Sequence, residues 1–504
     1  MAPPPLPPEL LGLIINCLQP PPLRLGDTKP ADSYKPNQTA LRNLCLASRQ
    51  LSYFAQPVLY HTIVLHDHRY AAPVMDGLVR TLAKRTELAM FVQDLAVTTS
   101  PDAFDDMNRR KASHTYPRFR FRRFEGASTD PSFFKAFGLD GLTFEGHYLF
   151  ERVLGSLLCL TKNCTRLLLE FPLVADLQVL QKVLQQYIVA RALARSHVTL
   201  PLPNLKTLRV QGRPTTNDDD PQLVYINMQA CPTLLDLPSI CTFEIYQADG
   251  VSLEIDDMQD WPAKLHTMRL WTGRYMHWLQ GILKIANGLK ILELKVDLYK
   301  GYIFEDEEHL NQAIATRVNT LEDLCVSTGG TAGYINILGD ELRVDCLAAM
   351  HKLRKLHIDT ALLFYKKSRL AELDLYRILP PNLRELRLEE SWYISEEDSD
   401  DMAPEDYAKL LLVQFGNLAF LRHDKLPKLE MIHFWSWEWF VGYHSSWKHW
   451  KPQLAMNFMR MCSELLGAAN VRFVGRPPPR DMFPEMLEKH SLNQDYVGPG
   501  GYEA

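Results

Sequence analysis

The sequence predicts an α/β protein in which a three-helix module at the N-terminus is followed by strand-and-helix repeats that build a parallel sheet. Three observations carry this reading. Apolar residues at helical spacing open the chain over residues 5–65. The pattern L-x-x-L-x-L recurs from about residue 90 onward. Helical stretches lie between its copies.

With 504 residues the chain can form several compact units or one long array. Hydrophobic residues make up 46% and charged residues 23%, which excludes disorder throughout. The net charge of −5 has the wrong sign for a nucleic-acid coat. No stretch approaches the ~20 apolar residues of a membrane helix. Nine cysteines are scattered without CxxC pairs, so neither a disulfide framework nor a zinc ribbon is indicated, and reduced thiols are expected. The apolar run Leu10–Leu18 follows Glu9 and prolines rather than Lys or Arg, and no small-residue cleavage site follows it. It therefore reads against a secretory leader, and the expected location is cytoplasmic, nuclear or both.

Residues 6–18 (LPPELLGLIINCL) read as the first helix. Pro7 and Pro8 suit its start, Glu9 complements the helix dipole, and Leu10, Leu11, Ile14, Ile15 and Leu18 make one broad apolar face. Residues 19–38 are rich in proline and polar side chains and read as a loop. Thr39 then reads as the cap of a second helix carrying Leu41, Leu44 and Cys45. A third short helix is expected through Phe54–Leu59, and residues 60–65 (YHTIVL) read as a strand.

Leu6-Pro7-Pro8-Glu9-Leu10, then Leu44-Cys45-Leu46-Ala47-Ser48-Arg49, then the exit Pro57–Leu65, resemble an F-box over residues 5–65. The resemblance implies that this module docks on the Skp-type adaptor of a cullin–RING ubiquitin ligase. Leu6, Pro7, Leu10, Ile14, Leu41, Leu44 and Arg49 would be the adaptor-binding residues. The 20-residue loop between the first two helices is longer than that family usually has.

The clearest copies of the repeat are Leu205-Leu208-Val210, Leu265-Met268-Leu270, Leu289-Leu292-Leu294, Leu321-Leu324-Val326, Leu353-Leu356-Ile358 and Leu383-Leu386-Leu388. Weaker ones are Val92-Leu95-Val97, Cys164-Leu167-Leu169, Ile240-Phe243-Ile245, Leu429-Ile432-Phe434 and Ala468-Val471-Phe473. From Leu265 the starts are 24, 32, 32, 30, 46 and 39 residues apart. Such spacing reads as an irregular leucine-rich-repeat solenoid, a horseshoe with its parallel sheet on the concave face. It spans residues 90–475, with insertions at 100–140 and 392–408 and a tail at 476–504. Residues 174–195 and 275–287 are helical between strands, and Pro-Asn-Leu precedes strands at 203–205 and 381–383. F-box followed by leucine-rich repeats resembles a family of substrate receptors in which the box holds the ligase and the repeats hold the target.

Between the leucines of each strand, alternate residues face the other way and line up across the array. Arg209, Tyr246, Arg269, Trp271, His357, Arg387, His433 and Trp435 are the candidate substrate-binding residues, because Tyr, Trp and Arg carry interface energy. The same positions also read as a solvated sheet face. Residues 435–450 hold five of the nine tryptophans, which pack under a cap or meet a partner. The basic run 109–124 reads as a solvated insertion, with phosphate binding or a nuclear signal as the alternative. The acidic run 395–407 reads as a loop.

The sequence carries no GxSxG, GxxxxGK, HExxH or EF-hand pattern. Gly329–Gly333 lacks the spacing of a phosphate loop. His66, Asp67 and His68 are adjacent on an extended segment and point apart, and Cys159 and Cys164 read as core thiols. No catalytic residue, metal or cofactor is expected. The expected function is non-catalytic: the substrate-recognition subunit of a Skp–cullin–F-box ubiquitin ligase. The alternatives are a leucine-rich-repeat interaction scaffold that recruits no ligase, and an enzyme with a site in 327–341 or the tryptophan-rich segment. The expected partners are the Skp-type adaptor and a protein target, and neither a membrane nor a nucleic acid is expected.

Overall fold

In a computed structural model of the chain, the described residues are 7–23, 30–66, 77–98, 154, 157–171, 202–212, 224–227, 239–247, 251–254, 264–272, 279–296, 309–327, 344–364, 374–390, 404–436 and 452–476. The chain divides into two compact units, Met1–Leu265 and His266–Ala504.

The first unit opens with helices α1 (Pro8–Asn16), α2 (Tyr34–Ala47) and α3 (Arg49–His61). Pro8 takes the first position of α1, where its missing N–H leaves no bond unmade. α2 begins before Thr39, the cap expected from sequence. Pro36 is tolerated in the first turn, and the Thr39 hydroxyl donates to the Lys35 carbonyl at 3.0 Å within the helix. Ser48 caps α3 by accepting from the Leu51 N–H at 3.1 Å, and Arg49 opens the third helix. α3 runs past both ends of Phe54–Leu59 and passes through Pro57. The helices close on Ile15, Leu41, Ala55 and Val58, with Leu11, Leu18, Leu44 and Phe54 packed around them.

The same unit continues through β1 (Thr62–Leu65), α4 (Thr86–Ala89), β2 (Asp94–Val97), β3 (Arg166–Phe171) and β4 (Thr207–Gly212). β5 (Val224–Asn227), β6 (Thr242–Gln247) and β7 (Val251–Glu254) follow. Strands β1, β2, β3, β4 and β6 form one parallel ladder in that order, while β5 and β7 pair separately. The strand read from sequence as the exit of the helical module is thus the first strand of the ladder, since Thr62–Leu65 pairs with Asp94–Val97. Tyr34, at the start of α2, seals its outer side. The Tyr34 hydroxyl accepts from the Val64 N–H at 2.8 Å and lies 3.4 Å from the Thr62 carbonyl, to which it donates. Burial pushes its phenol up to about 12.

The second unit holds β8 (Thr267–Thr272), α5 (Leu279–Ile285), β9 (Ile291–Val296), α6 (His309–Ala315) and β10 (Asp323–Ser327). It continues with a 3-10 turn (Asp345–Ala349), β11 (Lys355–Asp359), α7 (Thr360–Phe364), α8 (Leu375–Ile378) and β12 (Glu385–Glu390). α9 (Pro404–Lys425), β13 (Met431–Ser436), α10 (Pro452–Ala468) and β14 (Arg472–Arg476) complete it. Its seven strands pair in chain order and in parallel.

The repeat pattern explains this arrangement. Leu289, Leu292 and Leu294 are fully buried, and so are Leu321, Leu324 and Val326 and Leu383, Leu386 and Leu388. Each buried leucine contributes ~2 kcal/mol by leaving water. Aligned leucines on adjacent strands touch only their neighbours, so each repeat depends on the next. The backbone ties repeats at one recurring position. The carbonyls of Lys290, Glu322, Arg354 and Arg384 each accept from two successive amides of the following strand's entry. The Asn of Pro-Asn-Leu adds a side-chain tie. Asn204 donates to the Lys162 carbonyl at 3.2 Å and Asn382 to the His351 carbonyl at 2.7 Å. Asn163, at the same place before Cys164, donates to the Met90 carbonyl at 2.8 Å.

Two expectations change here. The last repeat is shifted by two residues, because Phe473 pairs with Ile432 and Gly475 with Phe434. Gly475 stands where a core side chain would be, and a Cβ there would run into Met459 of α10. The insertion at 392–408 ends earlier than expected, since α9 starts at Pro404 with Glu405 and Asp406 in its first turn. The helix expected at 174–195, the insertion at 100–140 and residues 477–504 of the tail lie outside the described residues.

Candidate functional site

Two surfaces follow from this frame. The first is on the helical module. Leu11, Ile15 and Leu18 turn α1's inner side to the core. Leu10, Leu13 and Ile14, spaced i, i+3, i+4, form a second apolar side that is 47%, 62% and 53% exposed. Leu46 on α2 and Tyr53 on α3 are 85% and 76% exposed. A helix that is apolar on both sides is ordinarily covered on both, and α1's outer side is bare. Of the predicted adaptor-binding residues, Pro7, Leu10, Ile14 and Arg49 are exposed. Leu44 is half-buried against the module core, and Leu6 lies outside the described residues. Leu41 is a correction: it is fully buried as part of the three-helix core and offers nothing to a partner. Leu13, Leu46 and Tyr53 were not singled out by sequence, although the spacing of Leu13 from Leu10 carries the signal.

The second surface is the ladder face opposite the leucines. In the first unit one row runs in register through Val64, Ala96, Leu168, Arg209 and Glu244. Leu23, from the proline-rich stretch after α1, is buried on Val64, Ala96 and Leu168. Arg209 Nη1 donates to the Leu23 carbonyl at 3.1 Å, and Arg209 Nε lies 2.6 Å from Glu244 Oε2. The stretch is pinned on both sides. Gln19 Nε2 lies 2.9 Å from His61 Nδ1, and Tyr34 is bound to β1 as described above. The next outward row holds Glu170, Gln211 and Tyr246, with Gln211 Nε2 donating to Glu170 Oε2 at 3.3 Å.

In the second unit the corresponding row runs Arg269, Glu293, Cys325, His357, Arg387, His433 and Val474. Its charges pair with neighbours. Arg269 Nε is 3.0 Å from Glu293 Oε2, and Lys295 Nζ is 3.4 Å from Glu293 Oε1 and 4.2 Å from the Trp271 ring centre. Glu385, one row away, holds Arg387 at 2.5 Å, His433 at 3.4 Å and Lys355 at 3.5 Å. Burial works to raise the Glu385 carboxyl, but the Arg387 hydrogen bond and the surrounding positive charges outweigh it and hold the group below its usual range. Asp323, in the same row as Lys355 and Glu385, is pushed up, chiefly by burial.

From β10 to β13 the third outward row is buried, with Ser327, Asp359 and Glu389 0% exposed and Trp435 1%, while Trp271 and Lys295 at its other end are half-buried. This corrects the expectation for three of the candidate substrate-binding residues, Trp435, His357 and His433. Trp435, His357 and His433 are buried; Arg209, Tyr246, Arg269, Trp271 and Arg387 are half-buried. Trp435 sits edge-on to His357, with ring centres 4.9 Å apart.

Within these rows three strands assemble a thiol, an imidazole and a carboxylate. Cys325 Sγ lies 3.1 Å from His357 Nδ1, and His357 Nε2 lies 3.2 Å from Glu389 Oε2. Ser327 donates to the same Glu389 oxygen at 2.7 Å. The order is that of a nucleophile, its base and an orienting carboxylate. The electrostatics oppose that use, because burial, then the Glu293 and Glu389 carboxylates, push the Cys325 thiol well above its usual range. A protonated thiol is a poor nucleophile, and the contacts of the cluster tie β10, β11 and β12 together as a polar lock. Among the described residues, no group of three or more His, Cys, Asp or Glu could hold a metal.

Cys159 and Cys164 are buried free thiols, each pushed up to about 12, first by burial. His66 Nδ1 lies 2.9 Å from Thr98 Oγ1. Asp67, His68, the basic run 109–124, Gly329–Gly333 and the tryptophans beyond Trp435 lie outside the described residues, and so does the acidic run up to residue 403. Among the described residues, no helix is long and apolar enough to cross a membrane. No family model matches the chain, and no curated protein matches it as a relative.

Proposed function

We propose that the chain is the substrate-recognition subunit of a Skp–cullin–F-box ubiquitin ligase. The helical module docks the Skp-type adaptor, and the leucine-rich ladder, a horseshoe in that family, carries the target protein. The observation that supports this reading is the bare outer side of α1, where Leu10, Leu13 and Ile14 present a continuous apolar strip. Such a strip is what a groove on a helix-binding partner accepts. On this reading the chain makes and breaks no bond. It holds a target near a ubiquitin-charged enzyme and so raises its effective concentration, while partner subunits transfer the ubiquitin, in the cytoplasm or nucleus. The target meets the half-buried side chains of the outward rows.

Capture of purified adaptor by the full chain tests the reading. Wild type binds, and the Leu10→Ala/Leu13→Ala/Ile14→Ala variant loses at least about tenfold in affinity, since a few apolar anchors dominate such interfaces. All three side chains are largely exposed, so the variant keeps its fold. Folded wild type that captures no adaptor defeats the ligase assignment and leaves the repeat scaffold without ligase recruitment.

A further inference from the structure

We infer that the outward row Val64–Ala96–Leu168–Arg209 is a binding site for a proline-rich peptide carrying a leucine, filled in this structure by the chain's own residues 19–23. The row is apolar at three consecutive strands and ends in a guanidinium. Leu23 caps the apolar part and is 5% exposed. The Leu23 carbonyl takes a hydrogen bond from Arg209 Nη1 at 3.1 Å, while Glu244 holds the same guanidinium through Nε. Side-chain burial and a carbonyl read by a fixed donor are the two contacts with which extended peptides are recognised. The three prolines before Leu23 stiffen the segment, so little conformational entropy is lost when such a sequence lies down.

The in-cis occupant shows what fits. Pro20 is buried, and Pro21 and Pro22 are half-buried. Among the described residues, the contacts that place this segment on the ladder include the burial of Leu23 on Val64, Ala96 and Leu168 and the hydrogen bond to its carbonyl. A partner segment of the same chemistry at high local concentration therefore competes for the row. The site does not depend on whether the helical module recruits a ligase.

The test uses the full chain and a fluorescent synthetic peptide copying residues 18–23. Leu23→Ser empties the apolar part of the row. The peptide is expected to bind this variant at least about tenfold tighter than wild type by anisotropy, and a peptide with serine in place of the leucine that copies Leu23 is expected to bind neither. Equal binding to wild type and to the folded variant overturns the proposal, as does equal binding of the two peptides. Should Leu23→Ser fail to fold, hydrogen exchange on wild type decides. Saturating peptide is expected to speed exchange of the Gln19 and Leu23 amides, the prolines between them carrying none, and unchanged exchange at both overturns the proposal.

Discussion

The outward faces of the two units differ although their leucine faces are alike. In the first unit the row through Val64, Ala96 and Leu168 is apolar, and the chain lays its own Leu23 on it. In the second unit the equivalent positions hold Arg269, Glu293, His357, Arg387 and His433, and these pair with carboxylates or bases of the same or adjacent strands. The same repeat pattern thus makes two kinds of surface according to the residue between the leucines. Apolar positions need a cover, and charged positions need one another. A target that meets the second face competes with ion pairs already formed inside the protein, whereas one that meets the first competes with a short peptide segment.

The largest effect tests what the two regions share. Leu208→Ala in the first unit and Leu356→Ala in the second remove side chains that are 0% and 1% exposed. Each is expected to cost about 2–5 kcal/mol in urea unfolding, because the repeat leaves little room to collapse into the cavity. A cost under about 1 kcal/mol at either position breaks the claim of a common core.

A smaller effect tests what separates them. Glu385→Gln removes the carboxylate that holds Arg387, Lys355 and His433, with an expected cost of about 2 kcal/mol near neutral pH. The folded carboxyl lies below its usual range, so this contribution is present above the unfolded value and is lost as the pH falls through the folded one. Stability curves of wild type and variant are therefore expected to converge as the pH falls below the ordinary carboxylate range. A gap that stays constant with pH removes the charge pairing as the basis of this face.

The smallest effect concerns the polar lock. Iodoacetamide at mildly alkaline pH is expected to modify the exposed Cys17 at least about tenfold faster than Cys325, despite the imidazole 3.1 Å from the Cys325 sulfur. Mass spectrometry of time points reads both rates. Faster labelling at Cys325 turns the lock into an activated thiol and reopens an enzymatic reading of this face.

Much of the fold was legible because leucine periodicity is a direct record of burial. Leu292, Leu324, Leu356 and Leu386 predicted strands that align in register. The shift at Gly475 was not legible, since the residue filling its place is Met459 on a different element. Helix starts were misplaced where tertiary contacts override local caps. Tyr34 is drawn into α2 by its bonds to β1, twenty-eight to thirty residues away. The candidate site was half legible. Alternation placed Trp435 and His357 on the correct side of the sheet, but it says nothing of whether that side is covered. Leu23 was read as part of a loop because no local pattern links it to Ala96 and Leu168.

The phenol of Tyr34 has a consequence for how copies of this protein behave in crowded surroundings. An unprotected outermost strand offers its amides to any passing chain and so seeds fibres. Here the Val64 amide is already taken by an oxygen from the same molecule, and a deeply buried hydroxyl is not readily displaced. The Val64 amide and the Thr62 carbonyl of the first strand are thereby engaged within the molecule instead of being offered to another chain.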